Sequence, residues 1–124
     1  MKIKENTNQF KEPLYDLFLI DKMCRGNDEQ ISKMVKVFIA QTESSIQELA
    51  LALIKKDVLK IKKMVHKMKP SFTYYGTSKL DRQVRSIEAL LLEKFEIMEL
   101  ESKIVGLAEL AITVTDKMKN DFKH

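Results

Sequence analysis

The chain contains few of the residues that mark disulfide-stapled or all-β proteins. Its 124 residues include a single cysteine, Cys24, so no intramolecular disulfide can form. Three glycines and two prolines are too few for the turns of a β-sandwich or β-barrel. The glycines, at positions 26, 76 and 106, are far apart, so no glycine-rich loop is present to bind the phosphates of ATP. These absences exclude a secreted disulfide scaffold and argue against kinase activity.

Long apolar runs are also missing. No uncharged stretch approaches the ~18 residues of a membrane span. The most apolar candidate, residues 104–115, is short and contains Glu109. The lysines near the N-terminus are followed by no apolar run, so these residues do not form a signal peptide. We therefore expect a cytoplasmic protein that does not associate with a membrane.

The charged residues are distributed unevenly. The whole chain has 22 basic and 18 acidic residues and a formal net charge of +4. Residues 55–69 alone carry seven lysines against one acid, Asp57, while the rest of the chain has 15 basic and 17 acidic residues. The positive excess therefore lies on one segment. A basic patch of this kind attracts phosphates or an acidic protein surface.

Apolar residues that recur every three or four positions predict a series of helices. The first is short, because Pro13 fits the first turn of a helix and Gly26 ends it. Asn27 is predicted to cap the second helix, with Gln30 as its capping-box partner. No glycine or proline interrupts residues 28–56, but capping residues near the middle leave open whether this stretch is one helix or two with a bend.

Three more helices are predicted in the rest of the chain. Asp57 caps the third, and Gly76 closes it as the residue after the C-cap. Its apolar stripe consists of Val58, Ile61, Val65, Met68, Phe72 and Tyr75. Ser78, with Asp81 three residues later, is predicted to open the fourth helix, and the last helix begins at about Ile97.

Long helices with sustained spacing and short connections predict an all-α fold. We expect an antiparallel up-and-down four-helix bundle with a short extra N-terminal helix. Residues 1–12 are expected to form a flexible tail, and residues 13–122 a single domain. The polar residues from Lys119 to His124 are expected to trail off from the last helix. We expect the protein to be a monomer.

The outer face of the third helix carries side chains that a bundle does not require. On a helical wheel His66 lies away from the apolar stripe, so its imidazole is expected to face water. Lys62 and Lys63 lie one turn before it, and Lys69 lies one turn after it. Pro70 removes the N–H that would bond the His66 carbonyl, which predicts a kink or a widened turn beside the imidazole.

Residues 66–76, with the sequence HKMKPSFTYYG, resemble the signature of histidine-containing phosphotransfer (HPt) domains. In that signature a lysine follows the histidine by three residues, a helix-perturbing residue and a serine come next, and a glycine ends the helix. The likeness extends over about residues 14–95, and residues 80–92 resemble the helix that faces the histidine. Pro70 departs from the commoner glycine, and its ring is expected to narrow the choice of partner.

The resemblance implies a phosphoryl relay. HPt domains carry a phosphoryl group on histidine between the aspartates of receiver domains, in response regulators and hybrid histidine kinases, and they bind no nucleotide. By position, His66 would be the phosphoacceptor, and Lys69 would steady the phosphoryl oxygens. The facing helix of the family often supplies an amide that bonds the other imidazole nitrogen. Gln83 and Glu88 are both candidates for that contact, and the sequence does not choose between them.

The types of residue suit this chemistry. A neutral imidazole is a nucleophile at pH 7, and phosphoryl transfer requires mainly positioning and neutralisation of charge. No cofactor is expected, since the divalent metal would belong to the acidic pocket of the partner receiver domain. The receiver is expected to dock at or beside a surface made of Lys62, Lys63, Lys67, Pro70, Phe72 and Thr73.

A different class of function uses the same lysines. The chain would then be a small basic adaptor or a nucleic-acid-binding module in which the histidine is incidental. Lysines beside Phe72, Tyr74 and Tyr75 can in principle bind phosphates and bases. However, Phe72 and Tyr75 fall on the apolar stripe, and no known nucleic-acid-binding motif is present, so we expect no nucleic-acid partner. A buried His66 would contradict the relay.

Overall fold

A computed structural model describes residues 12–123 of the protein. Residues 1–11 and His124 lie outside the described residues, and with them all of the predicted tail except Glu12. The described part is helical and contains no strand. Its five helices are α1 (Phe18–Met23), α2 (Asp28–Ile54), α3 (Val58–Tyr74), α4 (Ser78–Leu91) and α5 (Ile97–Phe122).

The four long helices form the predicted bundle. Helix α2 packs against α3 and α5, and α4 packs against the same two helices, so the four helices close into a ring. The connections are short, at residues 55–57, 75–77 and 92–96, and each one returns the chain to a neighbouring helix. The short α1 lies against α2. No helix within residues 12–123 combines the length and the apolar character needed to cross a lipid bilayer.

Two predicted caps fix the starts of α2 and α3. The Asn27 side chain accepts a hydrogen bond from the Gln30 backbone N–H at 3.0 Å. The Asp57 side chain accepts one from the Lys60 backbone N–H at 3.1 Å. Residues 28–54 form one helix, which answers the question that the sequence left open. Each cap satisfies an amide that the first helical turn leaves unpaired.

The fourth helix begins differently from the prediction. Its N-cap is Thr77, and Ser78 is the first helical residue rather than the cap. The Thr77 hydroxyl donates to the Phe72 carbonyl at 2.9 Å, so it completes the end of α3 instead of capping α4. The Asp81 carboxylate accepts a hydrogen bond from Arg85 at 2.9 Å. The predicted pairing of Ser78 with Asp81 at a cap is therefore wrong.

The first helix begins five residues later than predicted, at Phe18 rather than at Pro13. The Asp16 backbone N–H donates to the Tyr75 carbonyl at 3.3 Å, and the Asp16 carboxylate accepts the Phe18 N–H at 3.0 Å. These bonds hold residues 12–17 across the end of α3, next to Gly76. The prediction failed because a tertiary contact satisfies the backbone of Asp16.

The last helix is longer than predicted. Lys119 and the next three residues remain helical, and three of the four have side chains that contact the rest of the molecule. The Lys119 ammonium pairs with Glu43 on α2 at 2.6 Å. The Asp121 carboxylate accepts a hydrogen bond from the Tyr15 hydroxyl and pairs with Lys117 at 3.0 Å. Phe122 is half-buried against the core.

Aromatic and aliphatic side chains from all five helices form one core. The Phe38 ring of α2 contacts Phe72 at 6.2 Å in an edge-to-face arrangement and Tyr75 at 4.4 Å between ring centroids. The residues of α3 that are buried in this core are Ile61, Val65, Met68 and Phe72, with Tyr75 at its C-cap. Burial of this stripe fixes the rotation of α3 about its axis, and hence the direction in which His66 points.

Candidate functional site

His66 lies on the solvent side of α3, as the helical wheel predicts. Its two neighbours on the buried stripe, Val65 and Met68, face the core. The His66 side chain is 75% exposed, so a partner protein can reach the imidazole. A phosphoryl relay through His66 requires an accessible imidazole, and this exposure meets that requirement.

Glu88 on α4 contacts the imidazole from the side. The His66 Nδ1 lies 3.2 Å from Glu88 Oε2. Glu88 follows Ile87, which is fully buried, so the carboxylate leaves the core at the seam between α3 and α4. The other candidate, Gln83, faces α5, because its Oε1 lies 3.8 Å from the point that a Cβ on Gly106 would occupy. The structure therefore selects Glu88 as the partner of the imidazole.

The contact with Glu88 has a consequence for the proton on the ring. An ionised carboxylate can only accept a hydrogen bond, so in this contact the imidazole is the donor and Nδ1 carries the proton. In the neutral ring the other nitrogen, Nε2, then holds a free lone pair. The exposed His66 side chain thus has one ring nitrogen, Nε2, that can accept a bond.

Lys69 completes the group. Its Nζ donates to Glu88 Oε1 at 2.8 Å, and both side chains are 24% exposed. Glu88 thus bridges the histidine and the lysine, one with each carboxylate oxygen. The hydrogen bond from Lys69 is the largest cause and lowers the pKa of Glu88. Partial burial opposes this shift, and the weaker effect of the bond from His66 again lowers the pKa. The carboxylate is therefore ionised at neutral pH.

Pro70 lies within α3, one turn after His66. The helix continues through Pro70 to Tyr74 as a single element, and the proline ring is exposed. Because proline has no N–H, the His66 carbonyl lacks its usual intrahelical donor. The anchored stripe on either side, with Met68 and Phe72 buried, holds the helix together across this position.

Most of the residues predicted for the docking surface share the exposed face of α3. Lys62, Lys63, Lys67, Pro70 and Thr73 are exposed. Phe72 is not: it is only 2% exposed. Its inclusion in the docking surface is wrong, because it lies four residues after Met68 on the buried stripe and packs against Phe38.

Two apolar residues near the lysines are also exposed, and of these Leu59 was not predicted from the sequence. Leu59 on α3 is 66% exposed, and Tyr74 is 49% exposed. Leu59 precedes His66 by two helical turns, so the two side chains share a face. The spacing of seven residues was the available signal for Leu59. We call the exposed α3 surface made of Leu59, Lys62, Lys63, His66, Lys67, Pro70 and Thr73 the α3 outer face.

Within residues 12–123, no three side chains of histidine, cysteine, aspartate or glutamate are grouped in a way that could hold a metal ion. At His66 the nearby carboxylate is already paired with the ammonium of Lys69.

The fold has a counterpart among solved structures. No family model matches the chain, and no curated protein matches it at a significant level. The structure is similar to that of the HPt domain of a sensor hybrid histidine kinase from Shewanella, with a TM-score of 0.71. The similarity covers 87% of this chain and 92% of the Shewanella domain, at 18% sequence identity. At this identity the likeness concerns architecture rather than activity. The protein has the helical-bundle fold of an HPt domain.

Proposed function

We propose that this protein is a phosphotransfer protein of two-component signalling, in which His66 carries the phosphoryl group. The observation on which the proposal rests is the geometry of one side chain. An exposed imidazole has its Nδ1 held by Glu88 and a lysine one turn away, within a bundle of the HPt fold. Nothing in a purely structural bundle requires this arrangement.

The transfer step needs little from the protein beyond position and charge. The Nε2 lone pair of His66 attacks the phosphorus of an aspartyl phosphate on a receiver domain. The N–P bond forms while the P–O bond to the receiver breaks, and the receiver aspartate leaves as a carboxylate. No proton has to leave Nε2, because the ring proton resides on Nδ1. Lys69 then stabilises the transferred group, which carries about −1.5 to −2 charge at pH 7.

The α3 outer face suits a receiver domain as partner. Lys62, Lys63 and Lys67 surround the imidazole with positive charge. The phosphorylation pocket of a receiver is acidic and binds a divalent metal, so the two surfaces are complementary in charge. In this proposal the metal belongs to the receiver and the chain acts as a relay without kinase activity of its own. Pro70 and Thr73 border the contact.

The experiment that tests this function begins with a small phosphodonor. We expect phosphoramidate to produce one acid-labile adduct, visible by intact mass, on the wild-type protein and none on His66→Gln. His124→Gln, which alters the other of the two histidines, serves as the matched control and should behave as wild type. The adduct should then be lost on addition of a cognate receiver domain.

The alternative function predicts that the same His66 variant keeps its activity. A basic adaptor or nucleic-acid-binding module would bind generic duplex or single strands in a salt-dependent manner. That binding would not change in His66→Gln. An adduct that does not depend on His66, or one that no receiver of the host accepts, would contradict the relay and favour this alternative.

A further inference from the structure

The partner of the imidazole at this site is a carboxylate, whereas an amide would provide the same hydrogen bond without charge. Glu88 Oε2 lies 3.2 Å from His66 Nδ1, and Glu88 Oε1 lies 2.8 Å from Lys69 Nζ. Lys69, which the proposed function pairs with the phosphoryl group, is therefore already paired with Glu88 in the absence of that group. This sharing has consequences once His66 is phosphorylated.

In the unphosphorylated protein the charges of this group are balanced. The Lys69 ammonium and the Glu88 carboxylate form a half-buried ion pair, and the neutral imidazole donates to the same carboxylate. Half-burial strengthens this pair relative to a fully exposed one. The ion pair therefore stabilises the state that carries no phosphoryl group.

Phosphorylation of Nε2 adds a second anion within reach of the same lysine. Lys69 lies one turn from His66 on the same side of α3, so its ammonium is the nearest cation of the group for both anions. One ammonium cannot pair fully with a carboxylate and with a phosphoryl group at the same time. The phosphorylated state must either weaken the Lys69–Glu88 pair or leave the phosphoryl charge less well neutralised.

The carboxylate also acts through the ring proton. After transfer to Nε2, the phosphorylated ring can keep the proton on Nδ1, and a negative charge beside that nitrogen favours keeping it. When the phosphoryl group then moves to an acceptor, the N–P bond breaks and the bonding electron pair returns to Nε2. The leaving group is then a neutral imidazole, which is a better leaving group than an imidazolate.

We propose that Glu88 makes the phosphohistidine at His66 short-lived and quick to discharge, by holding the ring proton and by competing for Lys69. This inference rests on the proposed function and extends it. The protein passes its phosphoryl group on rapidly rather than storing it. Glu88 is a positioning residue, since it acts through its contacts with His66 and Lys69.

The test compares the lifetime of the phosphohistidine in variants that differ by a single charge. The purified proteins are phosphorylated with phosphoramidate, freed of the donor, and followed by intact mass as water attacks the phosphorus and releases inorganic phosphate. Glu88→Gln keeps the hydrogen-bond acceptor and removes the charge. Coulomb repulsion between anions about 6 Å apart corresponds to roughly a three- to tenfold change in rate, so we expect a lifetime longer by that factor.

A matched control removes a carboxylate elsewhere. Glu109 is exposed on α5, and Glu109→Gln should have the lifetime of the wild type. Circular dichroism should show the same helix content in all three proteins. An unchanged or shorter lifetime in Glu88→Gln would overturn the inference, while a missing adduct on the wild type would instead overturn the proposed function.

A double variant tests the competition for Lys69 separately. In the wild type Lys69 is shared, whereas in Glu88→Gln it is free to pair with the phosphoryl group alone. Lys69→Ala should therefore shorten the lifetime by a larger factor in the Glu88→Gln background than in the wild type. Equal factors in the two backgrounds would contradict the shared cation.

Discussion

At the scale of single residues, the site consists of Glu88 and the two side chains that it contacts, His66 and Lys69. His66 is mostly exposed, while Lys69 and Glu88 are half-buried at the seam between α3 and α4. His66 can be replaced without loss of packing, whereas the half-buried Lys69–Glu88 pair links α3 to α4. Substitutions at these positions therefore separate chemistry from stability.

Replacement of His66 should remove function and leave the fold intact. His66→Gln is expected to accept no phosphoryl group from phosphoramidate. Its free energy of unfolding should stay within about 0.5 kcal/mol of the wild type, because an exposed side chain contributes little packing. Intact mass and urea denaturation measure the two effects. A large loss of stability would mean that His66 is part of the core.

Replacement of Lys69 should slow phosphorylation. In the proposed transfer step the ammonium supplies a charge-assisted hydrogen bond to the incoming group, so Lys69→Ala should reduce the initial rate with phosphoramidate by roughly tenfold. Lys36→Ala, on an exposed position of α2, is the matched loss of positive charge and should keep the wild-type rate. Equal rates for Lys69→Ala and the wild type would remove Lys69 from the chemistry.

At the scale of elements, α3 combines an inner face buried in the core with an exposed outer face that carries His66. Its start is fixed by the Asp57 cap, and its end by Gly76 and the hydrogen bond from Thr77 to the Phe72 carbonyl. Residues 12–17 then cross that end through the bond between Asp16 and Tyr75. The position of His66 therefore depends on contacts at both ends of the helix.

Gly76, which follows the C-cap of α3, is expected to tolerate substitution poorly. It has φ +62°, and an added Cβ would lie 2.1 Å from the Asp16 carbonyl oxygen. Gly76→Ala should lower the free energy of unfolding by about 2 kcal/mol or more, from left-handed strain and from the clash. Thermal or urea denaturation measures this loss.

Gly106 provides the matched control for that substitution. It lies inside α5, and an added Cβ would meet Gln83 Oε1 at 3.8 Å, an ordinary contact. Gly106→Ala should raise the free energy of unfolding by up to about 1 kcal/mol, because alanine is the better helix former. Similar losses in the two variants would contradict the close approach of Asp16 to Gly76.

Substitution of Pro70 tests whether its ring restricts the docking of a receiver domain. Pro70→Gly restores the N–H that the His66 carbonyl lacks and removes the ring from the α3 outer face. The fold should be preserved, and phosphoryl exchange with receiver domains should become faster or extend to more receivers. Exchange rates with a panel of receivers measure this. No gain in rate or range would contradict a steric role for the proline ring.

At the scale of the whole molecule, a hydrogen bond from Tyr15 and an ion pair of Glu12 connect residues 12–17 to the bundle. Tyr15 and Lys117 both contact the Asp121 carboxylate, and the hydrogen bond from Tyr15 is the first cause of its lowered pKa. Glu12 pairs with Arg82 on α4, which lowers the pKa of Glu12. These carboxylates join residues 12–17 to α4 and α5.

The lowered pKa values predict weaker folding in acid. A carboxyl group whose pKa is lower in the folded than in the unfolded state contributes stability above its unfolded pKa and loses it as the pH falls through the folded value. The melting temperature should therefore fall as the pH decreases below about 4.5. Asp121→Asn should show a shallower fall, since one such group is removed. An identical pH dependence in both proteins would contradict the role of Asp121.

Much of the fold follows from local rules that act within a few residues. The apolar stripes, the caps at Asn27 and Asp57, and the left-handed residue Gly76 each depend on side chains close in sequence. The exposure of His66 follows in the same way, from its angle to the stripe of α3. For these features a short stretch of sequence contains all the interacting groups.

Contacts between residues that are far apart in the sequence could not be predicted from local patterns. The delayed start of α1 depends on a bond from Asp16 to Tyr75, and the helical end of α5 depends on contacts to Tyr15 and Glu43. In each case the partner lies more than fifty positions away, and no local pattern marks it.

The sequence by itself determined the helical class of this protein, the basic outer face of its third helix and the histidine at the centre of that face. Tertiary structure alone decided which residue of α4 meets the imidazole. Glu88 and Gln83 both lie at the edge of the stripe of α4, and the packing of α4 between α3 and α5 turns Glu88 toward His66 and Gln83 toward Gly106. The physical reason is that a helix has two flanks, and only its neighbours determine what each flank contacts.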